Sequence, residues 1–165
     1  MRCVVQRSGS ARVTVGGRET GSIERGLVVL VAFSATDTEA ELSWMARKLA
    51  GLRIFNDDQD KMNLALGDVG GGILLVSQFT LYGDCRKGNR PSFIGSAPPE
   101  LARSLYTRFG RILRGIWPEV AEGEFGAMMQ VELLNEGPVT LVIDREALRP
   151  APESDADAAG EGPGR

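Results

Sequence analysis

The segment Gly71-Gly72-Ile73-Leu74-Leu75-Val76-Ser77-Gln78-Phe79-Thr80-Leu81-Tyr82-Gly83-Asp84 decides how the chain is read. Ile73 to Val76 are four consecutive apolar residues, the pattern of a strand buried on both faces. A polar run, Ser77, Gln78 and Thr80, follows at once, broken only by Phe79. A central strand ending in hydroxyls, an amide and freed backbone N–H groups is a place where chemistry can be built. Such hydroxyls also commonly bond neighbouring backbone. On these residues alone, a strand edge that merely satisfies itself is the commoner outcome.

Working outward, Leu27-Val28-Val29-Leu30-Val31-Ala32 is a second fully apolar strand. Before it, Cys3 to Arg7 reads as a first strand. Ala11 to Val15 alternates into the two-residue turn Gly16-Gly17, with a return arm from Arg18 to about Ile23. Two buried strands require a sheet covered on at least one face by helices. Thr38-Glu39-Ala40-Glu41 is a capping box, and Leu42, Met45, Ala46 and Leu49 follow at helical spacing up to Gly51. This predicts a helix over about 39–50. Ala97-Pro98-Pro99-Glu100 opens a second helix with the stripe Leu101, Leu105, Phe109, Ile112 or Leu113, and Ile116. Trp117-Pro118 ends it, and Arg103, Arg108, Arg111 and Arg114 fall mostly on a solvated face.

Leu52 to Phe55 reads as a short strand, Asn56 to Lys61 as a solvated acidic turn, and Asn63 to Gly72 as loop. The acidic turn lacks the glycine and distal glutamate of a calcium-binding EF-hand loop. Met128 to Leu134 and Val139 to Ile143 read as strands. The intervening Asn135-Glu136-Gly137-Pro138 reads, from spacing, as a plain turn.

The 165 residues, 42% apolar and 25% charged, fit one domain with a substantial core. No apolar run approaches the roughly 20 residues of a membrane-spanning helix. The opening Met1-Arg2-Cys3-Val4-Val5-Gln6-Arg7 carries charge and no apolar signal-peptide region, so cytoplasmic residence is expected. Cys3 and Cys85 make no metal-ligand spacing and fit reduced thiols. There is no histidine. A Ser-His-Asp or Cys-His arrangement is therefore impossible, and neither a metal nor a cofactor is expected.

Net charge is −3. Residues 149–165 hold two arginines and four acids, hence −2, which leaves −1 for the remainder. Any polyanion must then be held by a local patch, and Arg86, Lys87 and Arg90 form the dense basic cluster. From Arg149 the composition turns to Pro, Ala, Gly, Asp and Glu. Residues 1–147 are expected to form one domain and 148–165 a disordered acidic tail.

Two segments carry a resemblance. Ser77-Gln78-Phe79-Thr80-Leu81-Tyr82 and Asn135-Glu136-Gly137-Pro138-Val139-Thr140 resemble the two signature motifs of the D-aminoacyl-tRNA deacylases. The likeness extends over residues 1–147 through Val5-Gln6-Arg7, Leu52-Arg53-Ile54-Phe55, Lys61-Met62-Asn63-Leu64, Arg86-Lys87-Gly88 and Arg90-Pro91-Ser92-Phe93. It implies an α+β fold, with a mixed or antiparallel, barrel-like sheet covered by two main helices. It also implies a homodimer with its active sites at the subunit interface.

The implied substrate is the 3′ end of a tRNA mischarged with a D-amino acid, or of alanine tRNA mischarged with glycine. The resemblance assigns Ser77, Gln78, Phe79 and Thr80 to the catalytic segment. A cis Gly137-Pro138 would reach into the partner's site and fill the space an L side chain needs. Arg7 would orient that segment and Phe125 would flank the terminal adenosine. Arg86, Lys87 and Arg90 are read as acceptor-stem phosphate contacts. With no histidine to activate Thr80, water assisted by the ribose 2′-hydroxyl is the expected nucleophile. The alternatives are a paralogous deacylase of relaxed chirality and a catalytically silent RNA-binding module. Gly83, Met128 and the tail depart from the family pattern, and none lies in the two motifs.

Overall fold

The two apolar runs become adjacent parallel strands at the centre of one sheet. The structure is a computed structural model that describes residues 1–146; the tail expected at 148–165 lies outside the described residues. Its strands are β1 (Arg2–Val15), β2 (Arg18–Ile23), β3 (Gly26–Ala32), β4 (Phe55–Asn56), β5 (Met62–Leu64), β6 (Gly72–Ser77), β7 (Val120–Glu122) and β8 (Met129–Asp144). Its helices are α1 (Glu39–Ala50), α2 (Leu66–Val69) and α3 (Pro99–Ile116).

The main sheet runs β2-β1-β3-β6-β7, and β8 pairs with the other edge of β1. β3, β6 and β7 are parallel, and β1 is antiparallel to β2, β3 and β8. The sheet curls until β2 meets β7: a Cβ on Gly21 would stand 2.6 Å from the Glu122 carbonyl oxygen. The expected barrel-like mixed sheet is therefore present.

Alternation along the central strands divides the core in two. Leu27, Val29, Val31, Ile73 and Leu75 pack with Leu42, Met45 and Leu49 of α1 and Leu105, Phe109 and Leu113 of α3. Val28, Leu74 and Val76 face the other way, onto Ala11 and Val13 of β1. This is why both runs are continuously apolar. Gly26, at φ 144°, begins β3 so close to Gly72 that a side chain there would run into the backbone of β6.

The first helix keeps its expected bounds. The Thr38 hydroxyl accepts from Ala40 N, and the Glu41 carboxylate accepts from Thr38 N (2.9 Å) and Oγ1 (2.7 Å). Those bonds, the hydroxyl's foremost, hold the Glu41 carboxyl below its usual range. In α3 the buried stripe is turned by about one residue from the expectation. Leu101 and Ile116 are exposed, and Ala102, Tyr106 and Gly110 are buried instead. The solvated face is only half free, because Arg108 pairs with Glu39 and Arg114 with Glu122.

Three further expectations are corrected. The strand read at 52–55 begins only at Phe55, where it makes a small hairpin with Met62–Leu64. The loop read over 63–72 contains that second strand and the α2 turn, anchored by buried Leu66 and by the Asp68 carboxylate on Ala65 N (2.7 Å). The turn read at 135–138 does not separate two strands; it is a bulge inside β8. Between the pairs Gln6↔Thr140 and Ser8↔Asn135 the register slips, so Pro138 sits where no ladder N–H is needed. Val120–Glu122, three residues with no pattern of their own, forms β7 without any signal in the sequence.

Candidate active site

β6 ends at Ser77, and Gln78 N still donates to Val31 O (2.7 Å), which pins the chain to β3 beyond the strand's last residue. A single 3₁₀ turn follows over Phe79–Tyr82. It is closed by Leu81 N on Gln78 O (3.1 Å) and Gly83 N on Thr80 O (2.9 Å). The first N–H groups of such a turn have no partner within it. Among the described residues no acceptor takes the N–H of Phe79 or Thr80.

This corner opens on a cleft of about 750 Å³. Its floor is the end of β3 and β6, including Ser77 and Gln78. One wall is Phe79 and Phe93, whose rings meet edge to face at 5.2 Å. The start of α3 forms a second wall through Pro98, Pro99 and Ala102, and Phe125 to Met129 form the third. The lining is mostly apolar with a few polar groups, Ser77, Gln78 and Ser96, the usual character of a small-molecule site.

The candidates separate accordingly. Ser77, Gln78, Phe79 and Phe125 all line this cleft; Thr80 is exposed and does not line it, but follows directly on Phe79. The Thr80 hydroxyl accepts from the Gln78 side-chain amide at 2.5 Å. Phe125 packs against Tyr106 at 5.5 Å and carries the Arg103 guanidinium over its ring at 4.8 Å. Phe93 and the Pro98-Pro99 start of α3 were not singled out as site residues. Their signal was an aromatic and a helix-opening Pro-Pro beside the basic loop.

Gly137 and Pro138 do not line this cleft; they are exposed on β8, joined by a cis peptide bond. Gly137 has φ 119°, and a Cβ there would stand 2.9 Å from Arg7 Nη2. Arg7 is buried beside them. Its Nε donates to Glu136 O (3.1 Å), and its Nη1 to Ile54 O and Asn56 Oδ1 (both 2.8 Å). One guanidinium thus ties the β8 bulge to β4 and the residue just before it.

The basic loop is held by an Asp84–Ser92 bridge. Arg86 forks onto its neighbour Asp84, with Nε on Oδ1 at 2.9 Å and Nη2 on Oδ2 at 2.6 Å. Half its expected role is therefore spent locally, whereas Lys87 and Arg90 make no ion pair among the described residues. The Arg86 hydrogen bonds hold the Asp84 carboxyl down at about 2. Because that value lies below the unfolded one of about 3.9, the pair's contribution is present above pH 4 and is lost as pH falls towards 2. Arg86→Ala is expected to raise the Asp84 titration, followed by carboxyl NMR, only part of the way to the ordinary carboxylate range, because the backbone N–H of residue 86 still donates to Asp84 Oδ1.

In the acidic turn, Asp57 accepts from Gln59 N and Lys61 N, which is turn chemistry. No acidic, cysteine or histidine cluster able to hold a metal occurs among the described residues.

Similarity to known proteins places the chain in a class, the hydrolases. The profile described as D-Tyr-tRNA(Tyr) deacylase matches residues 4–144. The chain is 56% identical over 144 residues to the D-aminoacyl-tRNA deacylase of Desulfatibacillum aliphaticivorans, covering 87% of this chain and 99% of that one. It is 54% identical to the Thermus aquaticus protein of the same name, covering 87% and 95%. A solved structure of a c-Myc DNA unwinding element binding protein superposes with a TM-score of 0.84 at 42% identity, over 89% of this chain and all of that one. A probable eukaryotic D-amino acid tRNA deacylase, at 22% identity, shares the fold with a TM-score of 0.75 over 87% and 98%. The chain belongs to the D-Tyr-tRNA(Tyr) deacylase family and is an enzyme.

Proposed function

We propose that residues 1–147 hydrolyse the ester joining a D-amino acid, or glycine on alanine tRNA, to the terminal adenosine of tRNA in the cytoplasm. The observation that carries this reading is the pair of N–H groups of Phe79 and Thr80, without a partner among the described residues, in the turn that begins at the cleft-lining Phe79. Donors fixed in this way can take the charge that develops on a carbonyl oxygen under attack. Water attacks the ester carbon, the tetrahedral oxyanion rests on the two N–H groups, and the C–O3′ bond breaks. The ribose oxygen leaves with a proton. The neighbouring 2′-hydroxyl orients the water, so the protein supplies position and charge stabilisation in place of a nucleophile. Ser77 and Gln78 hold the aminoacyl end, and the terminal adenosine lies towards Phe125.

Chirality is read by exclusion, with Gly137 and Pro138 of a second copy closing the cleft. Two facts support this. The segment is exposed, absent from its own chain's cleft, and braced from behind by Arg7. Met128 at the cleft mouth and Leu134 and Val142 of β8 also leave apolar side chains exposed, as an interface between copies would require. Glycine has no side chain to exclude. Lys87 and Arg90 take acceptor-stem phosphates.

The test is deacylation of D-tyrosyl-tRNA against L-tyrosyl-tRNA by the purified protein. Loss of only the D ester is expected. Loss of both esters would favour the relaxed-chirality paralogue, and loss of neither would favour an RNA-binding module. Thr80→Ala is expected to stay within about tenfold of the parent rate. A loss beyond about 10⁴-fold, the scale of nucleophile removal, would make Thr80 the nucleophile.

A further inference from the structure

Resting on the deacylase reading, we infer that Arg103 binds the phosphate that links the terminal adenosine to the rest of the tRNA, and that Arg111 continues the same track along α3. Of the four arginines on the exposed side of this helix, Arg108 and Arg114 are spent on Glu39 and Glu122. Arg103 and Arg111 make no ion pair or side-chain hydrogen bond among the described residues.

Arg103 also stands at a particular place. Its neighbour Ala102 lines the cleft, and its guanidinium lies over the Phe125 ring at 4.8 Å. Its Nη2 is 3.6 Å from where a Cβ on Gly126 would be. Phe125 and Gly126 are both cleft wall, so the charge is fixed at the mouth.

A guanidinium stacked on a ring keeps its in-plane N–H donors free, and those donors match a phosphate's oxygens. The stacking also removes much of the freedom an exposed arginine would lose on binding. An adenosine seated towards Phe125 carries its 5′ phosphate out past this point. Eight residues of helix separate Arg103 from Arg111, about 12 Å along the axis, and the intervening Thr107 lies on the same stripe. The two charges thus lead away from the cleft in the direction a single strand must leave it. These are phosphate contacts, so they position the end without reading sequence.

The test compares two substrates, D-tyrosyl-tRNA and 3′-O-D-tyrosyl-adenosine, the latter having no 5′ phosphate. For Arg103→Ala, KM on charged tRNA is expected to rise about tenfold with kcat unchanged. The slope of log(kcat/KM) against log salt should fall by about 1. Hydrolysis of the phosphate-free ester should be unaltered, and Arg103→Lys should recover part of the affinity. Arg111→Ala should act the same way more weakly, and Arg108→Ala should leave both substrates unchanged.

Equal damage to both substrates would overturn the inference and make Arg103 a mere support for Phe125. An unchanged KM on tRNA would overturn it as well. Failure of the unmodified protein on both substrates is a different result, since it removes the deacylase reading itself.

Discussion

Arg7→Ala is expected to lower unfolding free energy by about 3 kcal/mol and, on the proposed function, to erase a preference for D over L esters. The two effects share one cause. The guanidinium satisfies a buried carbonyl at Ile54, the Asn56 side chain and the Glu136 carbonyl at once. Alanine would leave those acceptors without a charged donor and open a gap beneath Gly137. Arg7→Lys should recover part of the stability, because an ammonium can reach one or two of the acceptors but not fork across three. It should not restore discrimination, since nothing then fixes the Glu136 carbonyl and the segment after it. Chemical denaturation gives the first quantity, and the ratio of D to L deacylation rates gives the second. A variant that is destabilised yet still strictly D-selective would separate Arg7 from chiral selection.

The second large effect is purely structural. Gly26→Ala is expected to cost about 4 kcal/mol, a large part of the 5–15 kcal/mol that holds an ordinary domain together. Two penalties add. At φ 144° any side chain is strained, and the added Cβ would strike the Gly72 backbone where β3 and β6 pair. Neither strand can withdraw, because β3 is also hydrogen-bonded to β1 and β6 to β7. A fall in thermal midpoint of about 8–16 °C is the expected reading. By contrast Gly16→Ala, at the exposed hairpin where a Cβ meets nothing, should cost far less.

Much of this was legible before the fold was known. Leu27–Ala32 and Ile73–Val76 announce themselves because both faces are covered, which leaves no polar position to confuse the pattern. The Thr38–Glu41 box fixes a helix start through chemistry confined to four residues. The Ser77–Thr80 corner was legible as a polar run after a buried strand, although its two unpartnered N–H groups are backbone features that no side chain reports.

What escaped depends on long-range partners. β7 is a strand only because β6 offers it an edge. Pro138 ends a strand in local logic, yet β8 runs through it because β1 slips register there. Arg103 reads as one more solvated charge until Phe125, distant in sequence, is brought beneath it.

β1 is the spine of the sheet, touching β2 and β3 along one edge and β8 along the other. Its partner on that second edge lies at the far end of the described chain, with Arg2 bonded to Asp144 across 142 positions. As the chain leaves the ribosome, β1 must therefore wait with one edge bare until β8 has followed it. Closure of the sheet joins segments far apart in sequence, so it is a late step, and folding should be slow for a domain of this size. The exposed edge of the nascent strand is also the segment most open to pairing with another chain in the interval.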